Sequence, residues 1–317
     1  MLSWEHVYEL VLKIAVRPRL KTLQQLQRFD AVRGRYAEVC NNLLGGEEGS
    51  HAVSEGYDWT EWASSVRQAF RGGVPLGFLA HPTLSCTMVF GRRRGIRLTH
   101  QMLNDIVRVF GRDVASSILL EDYIGLPTIS SAAYMTSANR CHHARHLAMY
   151  AQECKMNFWD SASIIEWGGG YGNMARIIRR MNPTVTYTII DLSEFLALQY
   201  IYLSSIEGEG NVHIVQPDIT PQLALGKINL LSSQMAVSKG GGLRCDGFIS
   251  TWAITESPRD VQKFVREKEF FGARSLLLGS LINENNYLAG TLAGIGLSRI
   301  AVPTSSGVGQ GHEYWLR

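Results

Sequence analysis

The chain has 317 residues, 45% of them apolar and 19% charged, with a formal net charge of +3. That length holds a large core with room for two domains, and the composition is that of a folded globular protein. So small a charge gives no ground for a nucleic-acid partner, and no apolar run reaches the roughly 18 residues a membrane span needs. Five cysteines, at 40, 86, 141, 154 and 245, are scattered and include no Cys-x-x-Cys pair. They argue against a disulfide framework or a zinc cage and fit a reducing, cytoplasmic compartment.

In chain order, residues 1–19 set Glu5, Lys13 and Arg17 into apolar periodicity and read as an amphipathic helix, not a secretory leader. Helical spacing recurs over 20–44, 59–71 and 99–110. Glycine-rich breaks fall at 45–50, 72–75 and 91–95. The basic run Arg92, Arg93, Arg94 and Arg97 reads as a solvated loop. Gly125-Leu-Pro127 closes another helix, and 131–155 reads as one long helix without Gly or Pro. The apolar N-terminal helices either pack within one chain or form a homodimer interface.

From residue 163 the pattern changes to alternating strands and helices. Strands are expected at 164–167, 185–190, 212–215, 246–251 and 275–279, with a final pair at 297–302 and 313–317. Helices are expected at 173–181, stopped by Asn182-Pro183, and at 193–205, with Ser193 as N-cap. Segment 227–242 is ambiguous between strand and crossover helix. The expected fold is α/β: a helical N-terminal domain over 1–130, and a Rossmann-like sheet over 131–317.

The segment 163–191 runs strand, glycine turn, helix, strand and terminal acid, a βαβ unit suited to an adenosine-type ligand. A dinucleotide fingerprint needs G-x-G-x-x-G, but the third position after Gly168 and Gly170 is Asn173. What fits is acid-x-Gly-x-Gly-x-Gly: Glu166, Gly168, Gly170 and Gly172, with Gly169 inside the turn. The pattern resembles the signature of class I methyltransferases, and the resemblance implies that family's type of sheet, S-adenosylmethionine as cofactor and S-adenosylhomocysteine as product. That ligand brings a cationic ammonium and sulfonium instead of a pyrophosphate, so an acid at the strand end attracts it. Asp191 is placed to accept both ribose hydroxyls. Asp218, after the third strand, is placed to reach the adenine amino group. Leu192, Ile219 and Thr251 complete the expected cofactor contacts. A nicotinamide dehydrogenase is the weaker alternative.

Ile165-Glu-Trp-Gly-Gly-Gly-Tyr-Gly-Asn-Met-Ala-Arg176, the stretch 187–203 and Asp246-Gly-Phe-Ile-Ser-Thr-Trp-Ala-Ile-Thr-Glu256 resemble the bacterial proteins described as sugar O-methyltransferases. The resemblance covers roughly 125–279. It implies a cofactor-binding sheet behind a helical region, and a sugar or glycosylated small molecule as acceptor. An N- or C-methyltransferase of another metabolite, and an idle methyltransferase fold serving as a binding partner, stay open.

Methyl transfer to a hydroxyl calls for a general base. Two candidates stand out. Glu256 follows the fourth strand on the ligand-binding rim, where it also suits the first turn of the next helix. His143 borders the apolar stripe of the 131–155 helix, while His142 and His146 fall on its polar side. Tyr134 and Arg140 on that helix, with Trp252 after the strand, are candidate acceptor contacts. His142 and His146 stand at metal-ligand spacing, but no third ligand is evident, and no metal is expected.

Overall fold

The β-branched runs after residue 163 assemble into one eight-stranded sheet. In the computed structural model it is described, with the rest of the fold, over residues 7, 10–11, 14–44, 59–89, 92–216, 220–281, 287–292, 297–301 and 312–317. N-terminal to the sheet lie helices α1 (Leu23–Val32), α2 (Tyr36–Leu44), α3 (Trp59–Phe70), α4 (Pro82–Thr87) and α5 (Arg92–Leu119). A short hairpin of β1 (Ile129–Ser131) and β2 (Thr136–Ser137) leads into α6 (Ala138–Cys154). The sheet region then runs β3 (Ser163–Trp167), α7 (Asn173–Met181), β4 (Thr186–Asp191), α8 (Ser193–Glu207), β5 (Val212–Ile214), β6 (Ile228–Ser232) and α9 (Ser233–Lys239). It closes with β7 (Gly247–Thr251), α10 (Arg259–Glu267), β8 (Ser275–Leu281), α11 (Tyr287–Leu292), β9 (Ser298–Ala301) and β10 (His312–Leu316).

Strand order is β5-β6-β4-β3-β7-β8-β10-β9. Only β10 runs antiparallel to its neighbours. This is the Rossmann-like sheet of class I methyltransferase type, widened by an outer strand, β5. From β3 the chain passes to β4 on one side and later to β7 on the other. The resulting switch point leaves a crevice at the carboxyl end of β3, where open α/β sheets bind ligands.

Both faces are covered, so the strands alternate between two buried cores rather than between core and water. Ile164, Ile189, Leu230 and Ile249 face one core with α6, α7, α8 and the N-terminal helices. Ile165, Ile190, Leu231 and Phe248 face the other with α9, α10 and α11. Helix α8 is buried almost all round, because it lies between the sheet and α1, α2 and α3. At the start of the chain, Val7, Leu10, Val11 and Ile14 share one helical face and are exposed.

Several elements differ from expectation. The helix expected over 131–155 starts only at Ala138, because the hairpin occupies the residues before it. There Ser137 caps the helix, its hydroxyl accepting from the Arg140 amide at 3.1 Å. Tyr134 therefore sits in the hairpin turn, not on that helix. The basic run at 92–97 is the first turns of α5 and not a loop; a lone Gly95 costs a helix only about 1 kcal/mol. The break comes instead at Gly111, with φ +75°. Helix α8 has Leu192, not Ser193, at its N-cap, without a side-chain cap. Segment 227–242 contains both strand β6 and helix α9.

Candidate cofactor and acceptor site

The glycine turn follows from two kinds of necessity. Gly168 has φ +79°, and a Cβ on it would lie 2.0 Å from the Ala253 Cβ, so the turn and the segment after β7 approach backbone to side chain. Gly170, at φ +57°, is different: the nearest atom to a Cβ there belongs to Met88 at 3.9 Å, leaving its outer side open. Met88 follows α4, so the N-terminal helices reach the rim of this turn. Gly169 packs on Ile189, and Gly172 begins α7 against Leu203.

Asp191 ends β4 facing the turn. Its Oδ2 accepts the Gly169 amide at 3.0 Å and the Gln199 amide nitrogen at 2.8 Å, and its Oδ1 accepts the Leu192 amide at 2.8 Å. Gln199 also donates to the Gly170 carbonyl at 2.8 Å. Three of roughly four carboxylate lone-pair positions are thus filled. One remains for a ribose hydroxyl, and a second becomes available if Gln199 swings away. Gln199 was not anticipated; its only sequence signal is its place two helical turns after Asp191. Gln199 Oε1 is buried with no hydrogen-bond partner among the described residues, a polar atom left for a ligand to satisfy.

Glu166, on β3, is buried and accepts from the Tyr187 hydroxyl at 2.9 Å. Burial lifts its carboxyl to about 8, against the Tyr187 bond, with the nearby Asp191 charge adding to the rise. Burial likewise lifts Asp191 to about 7, despite its three donors. Both acids are therefore easily kept neutral in the free protein, and a cationic ligand would favour their charged forms.

This sets the sign of a pH dependence. A carboxyl whose folded pKa is raised stabilises the fold fully below its unfolded pKa, and that contribution is lost as pH rises through the folded value. The half-buried His143, lowered to about 4, acts the opposite way only up to the ordinary histidine range near 6.5. The melting temperature of the ligand-free protein should fall from about pH 6.5 to 8, and Glu166→Gln should flatten that fall. A melting temperature that rises across this window in the wild type would contradict the assignment.

Asp218 and Ile219 lie outside the described residues, and the strand before them, β5, is the outer edge of the sheet. The neighbour of β4 is β6, whose Ser232 pairs with Asp191. A third strand by sequence order is not third by position, because the ladder was closed by the later apolar run at 228–231. The residues beside Asp191 at the crevice are therefore Ser232 and the start of α9.

Across the crevice, β7 ends at Thr251, and Trp252 takes φ +71°. The Trp252 amide donates to the Gly279 carbonyl at 2.9 Å, and the Trp252 carbonyl receives the Thr255 hydroxyl at 2.7 Å and the Glu256 amide at 3.2 Å. The Trp252 ring lies over Gly279, where a Cβ would be 3.5 Å from the indole. Glu256 is half-buried in this turn, before α10, and burial lifts its carboxyl to about 7.

The α6 histidines correct the sequence reading. His142 and His146 are buried, not solvated, and His143 is half-buried. The polar side of α6 is turned inward because Trp252 and Tyr314 cover it. The His142 ring stacks on Trp252 with centroids 5.6 Å apart and an interplanar angle of 12°. His146 lies 5.4 Å from both Trp252 and Tyr314, and its Nδ1 is 2.8 Å from the Tyr314 hydroxyl. Tyr314 was not anticipated, since only the fold brings the last strand to α6. Among the described residues no group of three or more His, Cys, Asp or Glu side chains is placed to hold a metal ion.

Arg140, expected to face an acceptor, is fully buried elsewhere. Its Nη2 meets Glu121 at 2.8 Å, Asp122 at 3.1 Å and the Tyr202 hydroxyl at 3.2 Å. Tyr134 is half-buried at the hairpin, packed against the larger core.

No family model matches the chain, and no curated protein matches it. Among solved structures, it is similar to a SeMet-substituted CurJ carbon methyltransferase, with 13% identity over 100% of this chain and 99% of that one, at a TM-score of 0.37. It is similar to an O-methyltransferase family 2 protein from Planctomyces limnophilus in complex with apigenin, with 12% identity over 91% and 94% and a TM-score of 0.34. It also matches a coclaurine N-methyltransferase bound to N-methylheliamine and SAH, with 11% identity over 85% of this chain but 63% of that one, at a TM-score of 0.31. Likenesses this distant leave the chemistry to be read from the chain's own residues.

Proposed function

We propose that the protein is an S-adenosylmethionine-dependent methyltransferase that transfers the methyl group to a hydroxyl of a small molecule. The observation that carries this reading is the crevice at the carboxyl end of β3. There Asp191 faces the glycine turn and a buried, neutral-prone Glu166 backs it. Glycine spacing that excludes a pyrophosphate and acids that favour a cation fit this cofactor together. When bound, the cofactor supplies an electrophilic methyl group. Gly168, Gly169, Gly170 and Gly172 would let it approach the backbone, with Asp191 on the ribose, Leu192 and Thr251 at the rim and Glu166 drawing the ammonium. The N-terminal region, through Met88, would close the rim on the acceptor side.

Glu256 is the better base of the two candidates. A base works best when its pKa lies near the working pH. Burial brings Glu256 to about 7, while burial and then the charge of Arg140 push His143 down to about 4. The usual order of the two residue types is thereby inverted. A rise of activity through pH 7 would mark the carboxylate here, not the histidine. The resemblance over 125–279 supports a sugar or glycosylated molecule as acceptor, and the raised carboxylate base supports oxygen over carbon or nitrogen.

The test is calorimetry with S-adenosylhomocysteine, S-adenosylmethionine and NAD on wild type and Asp191→Ala. The adenosyl ligands should bind at about micromolar affinity, roughly −8 kcal/mol, and NAD should not compete. Losing the charged acceptor should cost about 2–4 kcal/mol of that affinity with the fold retained. Binding of NAD without binding of S-adenosylhomocysteine would sink the proposal.

A further inference from the structure

Four rings meet beside the carboxyl end of β7, at the middle of antiparallel β10: His142 and His146 from α6, Trp252 after β7, and Tyr314 on β10. Tyr314 pairs with Gly279, which pairs with Thr251, so all four stand at the level of the crevice. Of the four, Trp252 alone is only half-buried.

The hydrogen-bond arithmetic defines what is missing. A tyrosine hydroxyl has one hydrogen to donate. Among the described residues the partner of the Tyr314 hydroxyl is His146 Nδ1. Assigning that hydrogen to this bond makes Nδ1 the acceptor and puts the imidazole hydrogen on Nε2. That Nε2 is buried and has no partner among the described residues, as has His143 Nδ1. His146 itself is 1% exposed. A buried donor without an acceptor is costly, and a ligand oxygen would satisfy it.

The surroundings specify that oxygen. Burial, His142, His143 and Arg145 all disfavour charging His146, so it stays a neutral donor. Arg140, close enough to hold down His143, adds positive potential from behind α6. Such a site favours negative charge growing on an acceptor oxygen. Aryl hydroxyls lose their proton near pH 10, as tyrosine does, whereas an alkyl hydroxyl lies closer to water at about 15.7. The half-buried Trp252 ring suits a flat ring.

We propose that the acceptor is an aryl hydroxyl, free or carried on the aglycone of a glycoside, whose oxygen accepts a hydrogen bond from His146 Nε2 while its ring lies against Trp252. His146 is a catalytic residue in this arrangement because it touches the reacting oxygen. Tyr314 is a positioning residue that selects the imidazole tautomer. The inference rests on the methyltransferase reading and narrows its acceptor.

Para-nitrophenol tests it, because its absorbance reports its ionisation. With protein saturated by S-adenosylhomocysteine, para-nitrophenol should bind and ionise at a pH about one unit lower than in water. His146→Ala should weaken that binding about 10-fold and abolish the shift, with S-adenosylhomocysteine affinity unchanged. Tyr314→Phe keeps the ring and the fold but frees the tautomer, and should lose most of the shift. Methyl glucoside should not displace the probe. Normal S-adenosylhomocysteine binding with no para-nitrophenol binding, with a spectral shift that survives both substitutions, or with displacement by methyl glucoside would overturn the inference. Failure of S-adenosylhomocysteine to bind would overturn the methyltransferase reading beneath it.

Discussion

Asp122→Ala should bring the protein close to unfolding. Asp122 is buried and carries three guanidiniums: Arg176 through Nε at 3.1 Å and Nη2 at 3.0 Å, Arg180 at 3.2 Å and Arg140 at 3.1 Å. Gln25 of α1 donates to it at 3.0 Å, so one carboxylate ties α1, α6 and α7 together. Burial alone would raise its pKa, but Arg176, Arg180 and Arg140 outweigh burial and hold it well below the usual carboxylate range. Removing one partner of a buried pair costs about 3–5 kcal/mol, because the others are left charged and desolvated. Fully buried Arg140 would keep only Glu121 as counter-charge. Against a typical total of 5–15 kcal/mol this is a large share. Urea denaturation followed by circular dichroism measures it, and a loss below about 1 kcal/mol would show that the network is slack. The sign with pH is also defined. A carboxylate with a lowered pKa stabilises above its unfolded value, near 3.8, and the contribution is lost as pH falls toward the folded one. Wild type should therefore lose stability in acid over a range in which Asp122→Ala changes less.

Gly168→Ala should have the second large effect. The added methyl meets the Ala253 Cβ at 2.0 Å, and φ +79° strains any residue with a Cβ. Left-handed backbone costs an alanine about 1–2 kcal/mol before the clash is counted, and overpacking adds about 1–3 kcal/mol. The turn must also move away from β7, so affinity for S-adenosylhomocysteine should drop at least about 10-fold, or 1.4 kcal/mol. Ala253→Gly in the same chain should recover most of the overpacking part and little of the backbone part. A double variant no better than Gly168→Ala alone would show that the contact at Ala253 is not what requires the glycine.

The glycine turn was legible because its requirements are local. Glu166, the glycines and Asp191 lie within one βαβ unit, and the spacing alone rejects a dinucleotide fingerprint. The acceptor side was not legible for the opposite reason. His142 and His146 fall on the polar side of α6 by periodicity, and nothing in the sequence says that Trp252 and Tyr314 will cover that side. Burial of a polar helix face is a tertiary event, and it turns a pair expected in solvent into a buried one. Arg140 misled in the same way: an arginine near a strand end looks available, yet Glu121 and Asp122, nearly 20 residues earlier, claim it.

What the sequence determined by itself was the class of sheet, the turn that opens it and the acids that flank that turn, since hydrophobic period and short-range spacing specify them. What only the tertiary structure decided was strand position and side-chain environment. The edge placement of β5 depends on which apolar run completes the ladder beside β4. The pKa values that favour Glu256 over His143 depend on burial, and burial is set by every element packed around a group rather than by its neighbours along the chain.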